Sequence, residues 1–133
     1  MKNPGKLKFS LILLSIFYIL AGAMHFIIPD FYVLMLPAII PFPKEVIYLT
    51  GLVEITLGFS VLNYKIMRPA AWSIIIFLIA VFPANFHVYW NDVDLGVPRW
   101  VLLIRLPLQI VLIFWAYMFA RKNSHPYRVL PEE

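Results

Sequence analysis

Long apolar runs alternate with short polar or proline-rich stretches along this chain, and the runs predict four helices. They cover residues 9–28, 45–63, 69–90 and 99–120. Each run is close to the ~20 residues that an α-helix needs to cross the hydrocarbon core of a bilayer. The pattern therefore predicts an all-α fold, in which one domain over residues 1–120 forms a four-transmembrane-helix antiparallel bundle. Residues 121–133 are predicted to be a polar, cytoplasmic tail.

The ends of these runs carry their own signals. Basic residues, an apolar run and then Ala21-Gly22-Ala23 imitate a signal peptide with its cleavage site. The apolar run continues to Ile28, however, which favours a retained first helix.

Residues 29–44 contain four prolines and cannot form one regular helix. We expect this segment to lie at the outer end of the bundle, with a short helix around Phe31–Leu36.

Two further prolines, Pro83 and Pro107, lie inside the third and fourth runs. A proline inside a helix removes one backbone hydrogen bond and kinks the helix. Packed kinks are favoured here over gating hinges.

The distribution of basic residues predicts the orientation. The N-terminus, the turn at residues 64–68 and the C-terminal tail carry eight of the eleven Lys and Arg residues: Lys2, Lys6, Lys8, Lys65, Arg68, Arg121, Lys122 and Arg128. The other two connections carry only Lys44 and Arg99, together with four carboxylates. By the positive-inside rule both termini are cytoplasmic. The expected location is the cell (inner) membrane, as a multi-pass protein in contact with the lipid bilayer.

Composition excludes several classes of protein. Hydrophobic residues make up 62% of the 133 residues, well above the share in soluble domains. The net charge of +4 comes from residues that flank the apolar runs, so no nucleic-acid partner is expected. The absence of cysteine excludes thiolate catalysis and iron–sulfur ligation by thiolates.

Each predicted helix carries a polar group within its apolar span. Counting ~1.5 Å per residue from the helix ends places these groups between the outer surface and the midplane. We call this set the polar layer; it comprises His25, Glu54, Asn85, Arg105 and Gln109. A charge at this depth should face protein, so we expect Glu54 to pair with Arg105. Gly51 and Gly58 share the face of Glu54 and predict a close backbone approach.

Two interpretations of the polar layer remain open. It holds the helices in register, or it also lines an outward-facing pocket for a polar headgroup or a quinone ring. A haem bound by His25 and His87 is disfavoured, because His87 points ~200° away from Asn85 on its helix. No metal site is expected, since no three or four ligands converge in the sequence.

Four short motifs occur in order along the chain. They are Ala21-Gly22-x-x-His25-Phe26-x-x-Pro29, Gly51-x-x-Glu54-x-x-x-Gly58, Pro83-Ala84-Asn85 and Arg105-Leu106-Pro107-x-Gln109. Together they resemble the DoxX-like family of small membrane proteins. The resemblance covers residues 20–120 and implies a four-helix membrane bundle. Some relatives are subunits of quinone-linked thiosulfate oxidation, and others are associated with membrane complexes that handle oxidative stress. The resemblance implies a redox association but no catalytic residues.

The leading hypothesis is a redox-associated membrane subunit that binds a quinone-like or lipid-like ligand. The alternatives are a non-catalytic assembly or scaffold subunit and, ranked third, a small proton-coupled transporter. The sequence leaves open whether the protein is an enzyme and whether it forms homo-oligomers. The expected partners are subunits of a redox membrane complex.

Overall fold

The fold is all-helical. The computed structural model describes residues 3–122 and Pro126. These residues form five α-helices: α1 (Pro4–Ile27), α2 (Pro29–Val33), α3 (Pro43–Ser60), α4 (Met67–Trp90) and α5 (Arg99–Ala120). Four of them correspond to the predicted apolar runs, and α2 is the short helix expected in the proline-rich segment.

The boundaries differ from the sequence prediction for local reasons. α1 begins five residues early, because Asn3 Oδ1 accepts the Gly5 amide at 2.9 Å and Pro4 suits a first helical turn. α3 begins two residues early, again at a proline, and ends at Ser60 instead of residue 63. α5 begins and ends where predicted. Most of the predicted tail, residues 123–125 and 127–133, lies outside the described residues.

Among the helices of the described residues, three are long and apolar enough to cross a membrane: α1, α4 and α5. This is the signature of a multi-pass membrane protein. α3 is not among them, since its 18 residues include Lys44, Glu45 and Glu54. Pro83 and Pro107 lie inside α4 and α5, each within one continuous helix.

The long helices pack as two pairs. α1 packs along α3 and α4 packs along α5, whereas contacts between the two pairs are sparse. One apolar cluster joins the pairs where α1 begins, α3 meets α4 and α5 ends; it includes Leu11, Met67 and Phe119. We call this the basic end, because Lys65, Arg68 and Arg121 lie there. Arg68 Nε also donates to the Ala120 carbonyl at 3.3 Å.

The opposite end, which we call the loop end, has a smaller apolar cluster. Met35, Val88, Leu95 and Leu102 are buried there, and Phe31 and Tyr32 pack against them. The proline-rich segment therefore covers this end of the helices, as predicted. Its far side is solvent- or lipid-facing, since Ile39 is 86% exposed.

Glycines allow α1 and α3 to touch along their backbones. A Cβ atom built on Gly22 would lie 2.6 Å from the Gly51 carbonyl oxygen, and one on Gly51 would lie 2.7 Å from His25 Cβ. One built on Gly58 would lie 2.8 Å from Ile19 Cγ1. Beside Gly58, the Ser15 hydroxyl donates to the Gly58 carbonyl at 2.6 Å. Close helix packing through small residues and a polar bridge is how helices associate in membranes.

The α1–α3 contact predicts that two Gly→Ala substitutions will have very different effects on thermal stability. Gly51→Ala should lower thermal stability in detergent by ~1–3 kcal/mol, because the added methyl meets backbone that cannot yield. Gly5→Ala is the matched control, since its Cβ would have only an ordinary 3.4 Å contact with Asn3 Oδ1. That variant should be neutral or gain up to ~1 kcal/mol from helix propensity. Equal melting temperatures for the two variants would contradict the close approach.

Candidate functional site

A cavity of about 230 Å³ lies between the two helix pairs. It is positioned between the apolar clusters of the basic end and the loop end. All five residues of the predicted polar layer line it: His25, Glu54, Asn85, Arg105 and Gln109. The layer therefore surrounds a space, with α1 and α3 forming one wall and α4 and α5 the other.

His25 is held by a short hydrogen-bonded chain. The Thr50 hydroxyl donates to the Ile47 carbonyl at 2.8 Å, so its oxygen accepts from His25 Nδ1 at 3.1 Å. His25 Nε2 then faces Glu54 Oε2 at 3.5 Å. Two lone pairs would repel each other, so this contact is favourable only with a proton on one of the two groups. The His25–Glu54 contact is therefore favourable when one proton lies between Nε2 and Oε2.

The predicted ion pair between Glu54 and Arg105 is wrong. Within the described chain Glu54 pairs with His25, because the glycine contact brings α3 against α1 and leaves α5 across the cavity. Arg105 Nη1 instead donates to Met35 Sδ at 3.2 Å. The two charged groups therefore stand on opposite walls of the same cavity.

Asn85 and Gln109 connect α4 to α5. Asn85 Nδ2 donates to Gln109 Oε1 at 2.9 Å, and Gln109 Nε2 donates to the Leu78 carbonyl. Leu78 immediately precedes Ile79, whose carbonyl loses its usual intrahelical donor at Pro83. Gln109 is 3% exposed and uses both ends of its amide in these bonds. This part of the polar layer is a structural bridge between α4 and α5.

Two buried polar atoms in the cavity wall have no hydrogen-bond partner among the described residues: the Tyr18 hydroxyl and Glu54 Oε2. The 3.5 Å contact of Glu54 Oε2 with His25 is electrostatic and too long to count as a hydrogen bond. Tyr18 is only 2% exposed. Leaving such groups unpaired costs ~1–3 kcal/mol each, and native structures rarely do so without a reason.

Aromatic rings form much of the remaining wall. Phe17, Tyr18, Tyr32 and Phe77 all line the cavity. The rings of His25 and Tyr32 are stacked obliquely, with centroids 4.1 Å apart. Burial raises the pKa of the Tyr32 hydroxyl above its ordinary value, so this group is a neutral hydrogen-bond donor. The walls therefore suit a flat, polar-edged molecule.

Sequence reasoning missed four of the polar or soft groups at the site, namely Tyr18, Tyr32, Met35 and Thr50. Two had a signal in the sequence: Thr50 is one turn before Glu54, and Tyr18 shares the face of His25. Tyr32 and Met35 had none, because their positions depend on how the proline-rich segment folds over the loop end. His87 does not line the cavity; its ring contacts Asn91 Nδ2 at 2.9 Å.

The bridge between α4 and α5 predicts a coupled loss of stability. Gln109→Leu should cost ~1–3 kcal/mol, because it leaves Asn85 Nδ2 without its partner and removes the side-chain hydrogen bond to the Leu78 carbonyl. Adding Asn85→Leu removes one of the stranded groups, so the double variant should recover part of the loss in thermal unfolding. Strictly additive losses would contradict the bridge. Ser73→Ala, on the exposed face of α4, is the control.

A family model described as a domain of unknown function, DUF8561, matches residues 14–120. No curated protein and no solved structure matches this chain. The matched region begins within α1, includes the whole cavity and ends with α5. Because the match covers well over half of the sequence, the chain belongs to the DUF8561 family.

Proposed function

We propose that this protein binds a quinone-like ligand in the cavity between its two helix pairs. The observation that carries the proposal is the pair of buried polar atoms in one cavity wall that have no hydrogen-bond partner among the described residues, the Tyr18 hydroxyl and Glu54 Oε2. The Tyr18 hydroxyl would donate to a ring oxygen of the ligand, and Glu54 would do the same when it holds the proton of the His25–Glu54 contact. The proposed role is that of a ligand-binding subunit in a redox membrane complex, which the resemblance to DoxX-like proteins also favours.

The arrangement of donors supports a ring with acceptors at opposite ends. The Tyr18 hydroxyl is seven residues before His25, or ~10 Å along α1 toward the basic end. Arg105 lies at the other end of the cavity, next to Met35. A molecule between them meets a donor at each end and aromatic rings along its faces. The quinone ring, with two carbonyl oxygens across a flat ring, has this pattern.

The volume of the cavity is consistent with one substituted ring. An apolar cavity of roughly 150 Å³ accommodates benzene, and this one has about 230 Å³. Stacking between the ligand and the aromatic lining would add to the binding energy. Asn85 and Gln109 have the structural role in the polar layer, because their amides are bonded to each other and connect α4 to α5.

We further propose that α3 is a fourth membrane span and that both termini are cytoplasmic in the inner membrane. α3 has 18 residues and so a length of ~27 Å, close to the thickness of the hydrocarbon core. Its three charged residues do not oppose this, since Lys44 and Glu45 are in its first turn and Glu54 faces the cavity. The clustering of basic residues at one end supports the orientation.

Reporter fusions test this topology. A reporter after Glu133 should be active in the cytoplasm, and the same reporter after Asp92 should be on the outer side. The reason is that three spans separate the N-terminus from Asp92 and four separate it from Glu133. A cytoplasmic report at Asp92 or an external report at Glu133 would contradict the four-span proposal.

Co-purification tests the ligand. Protein extracted in mild detergent should contain a quinone detectable by mass spectrometry. Removing one hydrogen bond with Tyr18→Phe or Glu54→Leu should weaken binding by ~1 kcal/mol, about fivefold, so these variants should retain less. The matched controls are Tyr117→Phe and Glu45→Leu, which alter exposed residues outside the cavity.

Two outcomes would overturn the proposal. One is a wild-type protein that contains no quinone and gains no thermal stability from an added one. The other is equal retention by the cavity variants and their controls, which would place the ligand elsewhere.

A further inference from the structure

The cavity has one wall that is incompletely closed, between α1 and α5. Phe17 and Leu108 both line the cavity, yet they are 40% and 44% exposed on the outside of the protein. Their side chains therefore connect the interior space with the surface that faces the bilayer. α1 and α5 also share the sparsest packing of the neighbouring long helices.

Helix geometry places both residues on facing edges. Successive residues on a helix differ by ~100°, so Phe17 lies ~140° round α1 from Gly22, which contacts α3. Tyr18 is completely buried, whereas Phe17 points toward the surface. On α5, Gln109 is directed at α4 through its bonds to Leu78 and Asn85, and Leu108 lies on the other side. The two exposed edges meet at the seam between α1 and α5.

The other routes into the cavity are better closed. Met35 and Leu36 cover the loop end, and the large apolar cluster fills the basic end. On the side of α3, Ile47 is 5% exposed. A molecule therefore meets the least packed protein at the α1–α5 seam.

We infer that the α1–α5 seam is a lateral portal from the bilayer, and that the ligand is a quinone with an apolar tail that leaves the cavity between Phe17 and Leu108. This inference rests on the proposed function and adds the binding mode and the ligand class. A cavity of about 230 Å³ has room for a ring but not for a ring with a long chain. Outside the portal, the exposed side chains of Leu13, Leu20 and Ile104 offer an apolar path for that chain.

Spin labels test the portal, since the chain has no cysteine of its own. Single variants Phe17→Cys and Leu108→Cys place a nitroxide at the seam. Ile16→Cys and Ile110→Cys are matched controls, because both positions are lipid-exposed but outside the cavity lining. The proteins are reconstituted in phosphatidylcholine nanodiscs, and collisions of the nitroxide with dissolved oxygen are measured by power saturation. The two probes are 2,3-dimethoxy-5,6-dimethylbenzoquinone and the same ring with a decyl chain in place of one methyl.

The decyl quinone should reduce oxygen collisions at positions 17 and 108 and leave positions 16 and 110 unchanged. The tailless quinone should change none of the four positions, because its ring stays inside the cavity. Equal effects of the decyl quinone at all four positions, or none at positions 17 and 108, would overturn the portal. The proposed function is tested separately by thermal stabilisation of the unlabelled protein. It fails if neither quinone stabilises the protein, whereas stabilisation by both with no portal signal refutes the portal alone.

Discussion

The close contact of α1 with α3 is the constraint on which the rest of the site depends. Gly22 and Gly51 let the two backbones approach until no Cβ atom would fit between them. At this separation, side chains one turn away from the glycines must meet across the interface. His25 and Glu54 do so, and Thr50 fixes the orientation of the imidazole. The partner of the buried carboxylate is therefore decided by backbone packing instead of by the strongest available opposite charge.

A second consequence is the cavity. α1 packs against α3, and α4 packs against α5. Each pair therefore buries its polar bridge, and the α1–α3 pair also buries its glycines, within its own contact. Among the described residues, the largest apolar cluster that joins the pairs lies at the basic end, around Met67 and Phe119. Between that cluster and the cover at the loop end lies the cavity. Its walls combine apolar side chains such as Phe77 with the polar layer, and Arg105 remains across it from Glu54.

The sequence predicted the helices well because apolar length and proline positions are local signals. The limits of α5 and the cover formed by the proline-rich segment were correct. The five residues of the polar layer were brought to one level by helical rise alone, which is why depth could be counted from the sequence. The partner of Glu54 could not be predicted in this way, because the depth of a residue does not say which helices are neighbours. Tyr32 and Met35 were missed for a similar reason, because they reach the site through the fold of the proline-rich segment, whose detailed path the sequence pattern does not predict.

The polar side chains around the cavity are of two kinds, those with hydrogen-bond partners in the protein and those with a buried atom that lacks one. Asn85 and Gln109 bond to each other, and Gln109 also bonds to the Leu78 carbonyl, so these amides form a bridge between α4 and α5. Tyr18 and Glu54 are buried as well, yet each has a polar atom that no described residue satisfies. If adhesion between helices were the only task of the layer, apolar side chains of similar volume would remove that cost, since unsatisfied buried groups destabilise a fold. Their presence beside a cavity of ring size is the observation on which the proposed ligand site rests.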